Sequence, residues 1–370
     1  MAVKITRQTR NIVLLGSATS AAALRPGHER AAAALRAAGL VDRLKTAGFQ
    51  VADHGDTATS TFQPDEEHPR ARNVAAILKS LNDLRPRAEV AIKSGALPVI
   101  LSGDCISVLA VIAAARRYYR HVSLIFVDRD ADLNVPATTH SGCVDGMVIS
   151  QVIGRGAPEL VRFWGEPPLV REPDIALFGF ERLDPPEENY LLASPLRRHP
   201  ALEVSTVGAA AAARLALERV HAANHQFILH FDVDTISSEE FPWTNFPGSG
   251  GLSLSEVRDA LRVFVSQANL AALVVAGYNP ELDADGTGAR KLIDLLADVL
   301  SSRLETETAP ATPAEASDPI AAASASIEPG APSAEPAPES FATAASSERE
   351  SRGASAPEPP GTPKSNSEPS

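Results

Sequence analysis

Cysteine is nearly absent from this chain, and long apolar runs are missing altogether. The only cysteines among its 370 residues are Cys105 and Cys143, too few for a disulfide framework, so we expect both to be thiols. No apolar stretch reaches about 18 residues, and no apolar signal segment follows Met1, which argues against a membrane span or a secretory leader. We therefore predict a cytoplasmic protein without a membrane partner.

Basic residues are also scarce. Lys and Arg number 34 against 46 Asp and Glu, a formal net charge of -12. Residues 305–370 hold 11 acidic and 3 basic side chains, so this segment carries -8 and the rest of the chain -4. Nucleic acid is therefore not expected as a partner. Residues 305–370 are also rich in Ala, Pro, Ser and Glu, a composition that cannot offset the entropy of ordering a backbone. We predict one folded domain at 1–304 and a disordered acidic tail at 305–370.

Short apolar runs alternate with longer segments rich in Ala, Leu and Arg. The runs are too apolar to belong to a sheet with one solvent-exposed face. Their alternation with helical segments is typical of strand-helix-strand units. This pattern predicts an α/β fold of three layers, α/β/α, with a mostly parallel sheet. The predicted strands are 11–15, 97–101, 123–127, 175–178, 227–231 and 270–275, and the predicted helices are 29–47, 72–94, 106–117, 206–224, 255–267 and 287–304.

Acidic residues stand directly after three of these strands. Asp104 follows the second, Asp128, Asp130 and Asp132 follow the third, and Asp232 and Asp234 follow the fifth. Ligands bind at the carboxyl ends of the strands in open parallel sheets, and side chains two apart on an extended segment point the same way. Like charges gathered in one crevice need a cation or a proton, so a divalent metal is the economical interpretation.

Two other interpretations remain open at this stage. Aspartates at strand ends also serve as helix caps and turn formers, which a single such residue does more often than not. The turn at Gly16 after the first strand is weak support for nucleotide binding, because it has one glycine and a phosphate-binding loop needs several.

Beyond these patterns, the chain resembles the arginase branch of the ureohydrolases over about residues 10–303. The family motifs Gly-Gly-Asp-His, Asp-Ala-His-x-Asp and Ser-Phe-Asp-Val-Asp have counterparts in Ser102-Gly103-Asp104-Cys105, Asp128-Arg129-Asp130-Ala131-Asp132 and His230-Phe231-Asp232-Val233-Asp234. The segment from Asp132 to Gly142 is similar to the arginase loop Asp-Ile-Asn-Thr-Pro-x-Thr-Thr-x-Ser-Gly. The resemblance implies hydrolysis of a non-peptide C–N bond in the guanidino or amidino group of arginine or a related amino acid.

The same resemblance implies a set of site residues and cofactors. It implies manganese or another divalent metal, up to two ions per chain, and a homo-oligomer, a trimer or hexamer. The implied metal ligands are Cys105, Asp128, Asp130, Asp132, Asp232 and Asp234. The α-carboxylate of a small amino-acid-like substrate would be bound by Asn134, Thr139 and Ser141, and its α-amino group by Asp184. Asp145 would be the catalytic acid.

The chain departs from the family pattern in its chemistry. Cys105 and Asp130 replace two metal-binding histidines, Asp145 replaces the acid histidine, and Gly277 replaces a glutamate. His140 or His230 would restore an imidazole, although a single histidine is more often structural. Two hypotheses follow: a divergent metal-dependent hydrolase, and a catalytically degenerate relative that serves as a ligand-binding or partner subunit.

Overall fold

A parallel sheet forms the centre of the folded domain in the computed structural model, which describes residue 5 and residues 7–308. Eight strands are found in these residues, in the order β2-β1-β3-β8-β7-β4-β5-β6, and every neighbouring pair is parallel. The strands are β1 (Asn11–Ser17), β2 (Gln50–Asp56), β3 (Leu97–Ser102), β4 (Val122–Val127), β5 (Ile175–Phe178), β6 (Arg197–His199), β7 (Gln226–Asp232) and β8 (Leu270–Ala276).

Helices cover both faces of this sheet. The helices are α1 (Ala31–Ala37), α2 (Leu40–Thr46), α3 (Val74–Lys93), α4 (Val108–Ala115), α5 (Val148–Val152), α6 (Pro158–Val161), α7 (Pro185–Ala193), α8 (Ala201–Val207), α9 (Ala209–Ala222), α10 (Leu254–Val265) and α11 (Thr287–Thr308). Alternate residues of one strand enter opposite cores: Ile12 and Leu14 pack with α1, α2 and α8 to α11, whereas Val13 and Leu15 pack with α3 to α6. The predicted α/β/α layering is confirmed.

The two strands that the apolar pattern missed lie at the edges of the sheet. β2 is exposed or half-buried along its whole length, and β6 has one buried residue, His199. An edge strand has a neighbour on one side only, so its sequence need not be apolar, and a search for apolar runs passes over it.

Glycines change two of the predicted helices. Gly39 (φ 96) divides the predicted helix 29–47 into α1 and α2. Gly208 (φ 92) separates α8 from α9, so the predicted helix 206–224 begins only at Ala209, and α8 was not predicted. Glycine adopts this left-handed backbone without the steric cost that a side chain brings. Helix α11 extends to Thr308, four residues beyond the predicted domain boundary. The disorder predicted for the tail falls on residues outside those that the structure describes.

Candidate metal centre and substrate cavity

A cavity of about 530 Å³ opens above the carboxyl ends of the strands. Strands β3, β4, β5 and β7 each end in a loop that carries polar side chains into it, as expected for an open parallel sheet. Its lining contains most of the predicted site residues and four acidic or basic side chains that follow β5. The residues that line it are Leu24, Cys105, Asp128, Asp130, Asp132, Asn134, Ser141, Cys143, Asp145, Gly146, Glu181, Arg182, Leu183, Asp184, Glu187, Asp232, Asp234 and Phe246.

Four buried side chains form a first cluster, and three of them, Cys105, Asp128 and Asp232, line the cavity. Cys105, Asp128, His230 and Asp232 each offer one ligand atom within 4.8 Å of the others. The Cys105 thiol donates a hydrogen bond of 2.7 Å to Asp232 Oδ2, and His230 Nε2 lies 3.9 Å from Asp128 Oδ2. Thiol sulfur, imidazole nitrogen and carboxylate oxygen are all established metal ligands, so this set can hold a divalent cation.

His230 is the member that the family pattern does not contain. Its side chain is fully buried on β7 and stacks on Phe126 of β4 with 4.5 Å between ring centroids. Burial lowers the pKa of His230 to about 3, so the ring is neutral. Neither ring nitrogen has a hydrogen-bond partner among the residues that the structure describes, and a buried polar group seldom tolerates such a lack. The other candidate imidazole, His140, is exposed and belongs to neither cluster.

A second cluster, Asp128, Asp130 and Asp234, lies beside the first. Here a side chain already supplies positive charge, because Arg182 Nη2 donates to Asp130 Oδ2 at 2.7 Å and to Asp234 Oδ2 at 2.6 Å. Arg182 Nη1 also donates to the Phe246 carbonyl at 3.0 Å. The sequence analysis assigned no role to Arg182, and only its position after β5 in a charged loop could have drawn attention to it.

The cavity floor stabilises protons on its acidic groups when no cation is present. Burial, followed by the charges of Asp132 and Asp232, raises the pKa of Asp128 well above its ordinary value. Burial and Asp232 raise the pKa of Asp234 to about 8, although Arg182 opposes this. Burial and the neighbouring Asp232 also raise the pKa of the Cys105 thiol. A bound cation would favour the charged forms of these groups and displace their protons.

Two other predicted site aspartates line the cavity but lie outside both clusters. Asp132 is buried and has a left-handed backbone (φ 51), a region that aspartate enters more readily than most residues. Asp145 Oδ1 accepts the backbone N–H groups of Cys105 (2.8 Å) and Ile106 (3.2 Å). Burial and Asp104 raise the pKa of Asp145 well above its usual range. Asp145 therefore anchors the turn that carries Cys105 and holds a proton close to the cluster.

The predicted substrate loop meets the start of α7 at one side of the cavity. Asn134 Nδ2 donates to Asp184 Oδ2 at 2.8 Å, and Ser141 also lines the cavity. Thr139 is buried and is not among the lining residues; its hydroxyl accepts the Gly142 N–H at 3.0 Å. The structure thus brings three of the four predicted substrate residues to the cavity and places Thr139 in the turn behind Ser141.

Glu187 holds this substrate side together, and sequence reasoning missed it. Its carboxylate accepts the backbone N–H groups of Leu133 (2.8 Å), Asn134 (3.1 Å) and Asp184 (2.8 Å). Asp184 and Glu187 form a reciprocal capping box at the start of α7. The spacing Asp184-Pro-Pro-Glu187 is a recognisable capping signal in sequence, although that signal predicts a helix start and does not predict a link to another loop.

Gly277 marks the point at which Cys105 reaches Asp232. Strand β8 lies between β3 and β7 in the sheet, so the thiol passes over the carboxyl end of β8. Gly277 has φ 85, and a Cβ atom there would lie 2.1 Å from Asp232 Oδ1. A side chain at position 277 would therefore strain the backbone and press on Asp232.

Comparison with known proteins finds similarity to arginases and to a formimidoylglutamase. The sequence model of the Arginase family matches residues 10–301. The arginase of Brevibacillus brevis is 26% identical over 298 residues, which span 80% of this chain and 99% of that protein. The solved structure of Bacillus caldovelox arginase is similar with a TM-score of 0.72 and 21% identity, covering 79% of this chain and 98% of that one. Formimidoylglutamase from Bacillus subtilis is similar with a TM-score of 0.64 and 17% identity, covering 79% and 87%.

Proposed function

The chain belongs to the arginase family, and from that premise we propose that it is a metal-dependent hydrolase of the guanidino or amidino C–N bond of an amino-acid-like substrate. The observation that carries the proposal is that Cys105, Asp128 and Asp232, which cluster with the buried His230, line the same cavity as Asn134, Ser141 and Asp184, the residues that we propose bind the amino-acid end of the substrate. The candidate metal site and the groups that would bind the amino-acid end of the substrate therefore lie in the same cavity.

The first cluster has the properties of a metal site. The unpartnered nitrogens of His230 are the strongest support, because a buried imidazole without a hydrogen bond gains most from a ligand. Asp128 and Asp232 supply the negative charge. When bound, a divalent cation in such a site activates water as a nucleophile near neutral pH and stabilises the charge that develops during attack.

The substrate wall offers the complementary groups for an amino acid. We propose that Asn134 Nδ2 and the Ser141 hydroxyl donate to the α-carboxylate, and that Asp184 accepts from the α-ammonium group. Asn134 and Asp184 form a 2.8 Å hydrogen bond with each other, so one donor and one acceptor lie side by side in the cavity wall. Thr139 would act indirectly, by fixing the turn that carries Ser141.

Asp145 is our candidate for the proton donor. In the reaction, water oxygen bonds to the amidine carbon, the C–N bond breaks, and the departing amine needs a proton. Since Asp145 Oδ1 accepts two backbone N–H groups, the proton would be carried on Oδ2. Its raised pKa, caused by burial and by Asp104, keeps the acid form present near neutral pH.

A substrate panel with matched compounds tests this function. Purified protein would be loaded with Mn²⁺ or Zn²⁺ and assayed for urea, ammonia and amine release from L-arginine, from agmatine, which lacks the α-carboxylate, and from N-formimino-L-glutamate. We expect hydrolysis of at least one α-amino acid and little of agmatine. Asp232→Asn should abolish turnover, and Asp294→Asn, which changes an exposed side chain of α11, is the matched control. Metal uptake without release from any of these compounds would favour the ligand-binding hypothesis.

Two sequence expectations extend this proposal. A homo-oligomer, trimer or hexamer, is expected from the family resemblance, and light scattering on the purified chain measures it directly. No helix among the described residues has the length and hydropathy to cross a membrane. We propose a cytoplasmic location, which fractionation of cells that express the chain would test.

A further inference from the structure

The second cluster of the metal centre contains a cation of its own. Arg182 Nη2 lies 2.7 Å from Asp130 Oδ2 and 2.6 Å from Asp234 Oδ2, between the two carboxylates. The side chain of Asp234 is 4% exposed, so its charge has little access to water and depends on a neighbouring cation.

The main chain fixes Arg182 in this position. Residues Asp130 and Arg182 form an isolated parallel bridge, and the Arg182 N–H donates to the Arg129 carbonyl at 3.1 Å. The other end of the guanidinium donates to the Phe246 carbonyl at 3.0 Å. Arg182 is therefore held beside Asp130 by backbone pairing and beside Asp234 by its side chain.

We infer that this centre takes one divalent cation, ligated by Cys105, Asp128, His230 and Asp232, and that the guanidinium of Arg182 takes the place of a second ion. This inference rests on the proposed function only in treating the cavity as a metal centre. It differs from the family-derived expectation of up to two ions, and it takes Asp130, Asp132 and Asp234 out of the ligand set. Asp130 and Asp234 become partners of Arg182, whereas Asp132 lies outside both clusters.

Three features of the described residues support the assignment of the ion to the first cluster and of Arg182 to the second. No carboxylate of the first cluster is ion-paired with an arginine or lysine of the described residues, and this cluster includes a fully buried imidazole with two unpartnered nitrogens. In the second cluster, two of the three carboxylates, Asp130 and Asp234, are already bonded to a guanidinium. A second divalent ion would have to displace Arg182 from three hydrogen bonds or stand beside its positive charge, and both are unfavourable.

The ligand set also indicates the kind of metal. Thiol and imidazole ligands favour Zn²⁺ and Co²⁺, whereas Mn²⁺ prefers sites built mainly of oxygen. We therefore expect Zn²⁺ to bind more tightly than Mn²⁺ to the full-length protein.

Metal counting by mass spectrometry after equilibrium dialysis tests the inference. The wild-type chain should bind one equivalent of Zn²⁺ or Co²⁺. Arg182→Gln should bind two, since Asp130 and Asp234 lose their cation, and the charge-preserving Arg182→Lys should bind one. Two equivalents in the wild type, or one in a folded Arg182→Gln, would overturn the role of Arg182.

A second set of variants covers the case in which Arg182→Gln does not fold. Asp130→Asn should leave one equivalent bound, and Asp128→Asn and His230→Phe should each weaken Zn²⁺ binding at least tenfold. Loss of the ion in Asp130→Asn, or unchanged binding in His230→Phe, would contradict the ligand assignment.

The cobalt-loaded protein provides a spectroscopic control. A thiolate-to-cobalt absorption band should be present in the wild type, absent in Cys105→Ser and retained in Cys143→Ser, which changes the other buried cysteine of the cavity. Absence of the band in the wild type would contradict ligation by Cys105. These readouts are independent of turnover, so one bound ion without hydrolysis would refute the proposed function and leave this inference in place.

Discussion

Replacement of Glu187 by alanine tests how the substrate side of the cavity is held. The Glu187 side chain is buried, with 6% of the residue exposed. Its carboxylate accepts three backbone N–H groups, from Leu133, Asn134 and Asp184. In the alanine variant these three donors lose their acceptor, and no other carboxylate of the described residues is bonded to them.

The expected loss of stability can be worked from these bonds. Only the bond from Leu133 is fully buried, whereas those from Asn134 and Asp184 are part-buried. Loss of the buried acceptor costs about 1–3 kcal/mol and loss of each part-buried bond about 0.5–1.5 kcal/mol, so the free energy of unfolding should fall by at least about 2 kcal/mol. For a domain of this size each kcal/mol lowers the melting temperature by about 2–4 °C, so a fall of roughly 4 °C or more is expected.

Thermal unfolding followed by circular dichroism measures this change, and Glu188→Ala is the matched control. Glu188 is the next residue of α7 and is exposed, so its replacement should alter stability by no more than about 0.5 kcal/mol. In an active preparation Glu187→Ala should also raise KM more than it lowers kcat, because Asn134 and Asp184 lose a common support. Equal melting temperatures for the Glu187 and Glu188 variants would refute the reasoning.

Three further predictions concern the metal centre. Gly277→Glu should lose metal, as measured by equilibrium dialysis, because a Cβ atom at that position lies 2.1 Å from Asp232 Oδ1; retained metal with new arginine hydrolysis would show that the family glutamate can be restored. Asp145→Asn should keep its metal and lower kcat about 10²- to 10⁴-fold, and an unchanged kcat would remove Asp145 from the mechanism. In chelator the melting temperature should fall as the pH rises from about 5 to 9, because folding raises the pKa of Asp104 to about 6, Asp130 to about 7 and Asp234 to about 8. The protonated carboxyl groups favour the folded state. This contribution to stability is complete at a pH below the pKa values of the unfolded chain, which are near 4, and it is lost as the pH rises through the pKa values of the folded protein. Metal-loaded protein should show a smaller fall, and a melting temperature that increases across this window in chelator would contradict the prediction.

The arrangement of strands at the metal centre explains why some residues could be identified early. Asp128 directly follows β4 and Asp232 is the last residue of β7, and these two strands are neighbours in the sheet. A carboxylate at the end of a buried strand is visible in sequence, and parallel pairing brings such ends together. The meeting of these two residues was therefore predictable from the chain alone.

Other site residues depend on contacts that no local pattern records. Arg182 and Glu187 follow β5, yet their partners Asp234 and Leu133 come from different loops. In the sequence His230 is a single histidine within an apolar strand, a pattern that many structural histidines share. Its significance comes from the lack of a hydrogen-bond partner inside a packed core, which only the three-dimensional arrangement shows.

The sequence by itself determined the fold class, the six inner strands, the strand-end carboxylates and the family, because each depends on hydrophobic periodicity or on spacing within a short segment. The tertiary structure decided which carboxylates lie beside Cys105 and His230, which are bonded to Arg182, how closely residue 277 approaches Asp232, and that His230 belongs to the first cluster while His140 is exposed. These facts depend on the distance and burial of side chains that are remote in sequence, and such distances exist only after the strands have paired and the core has excluded water.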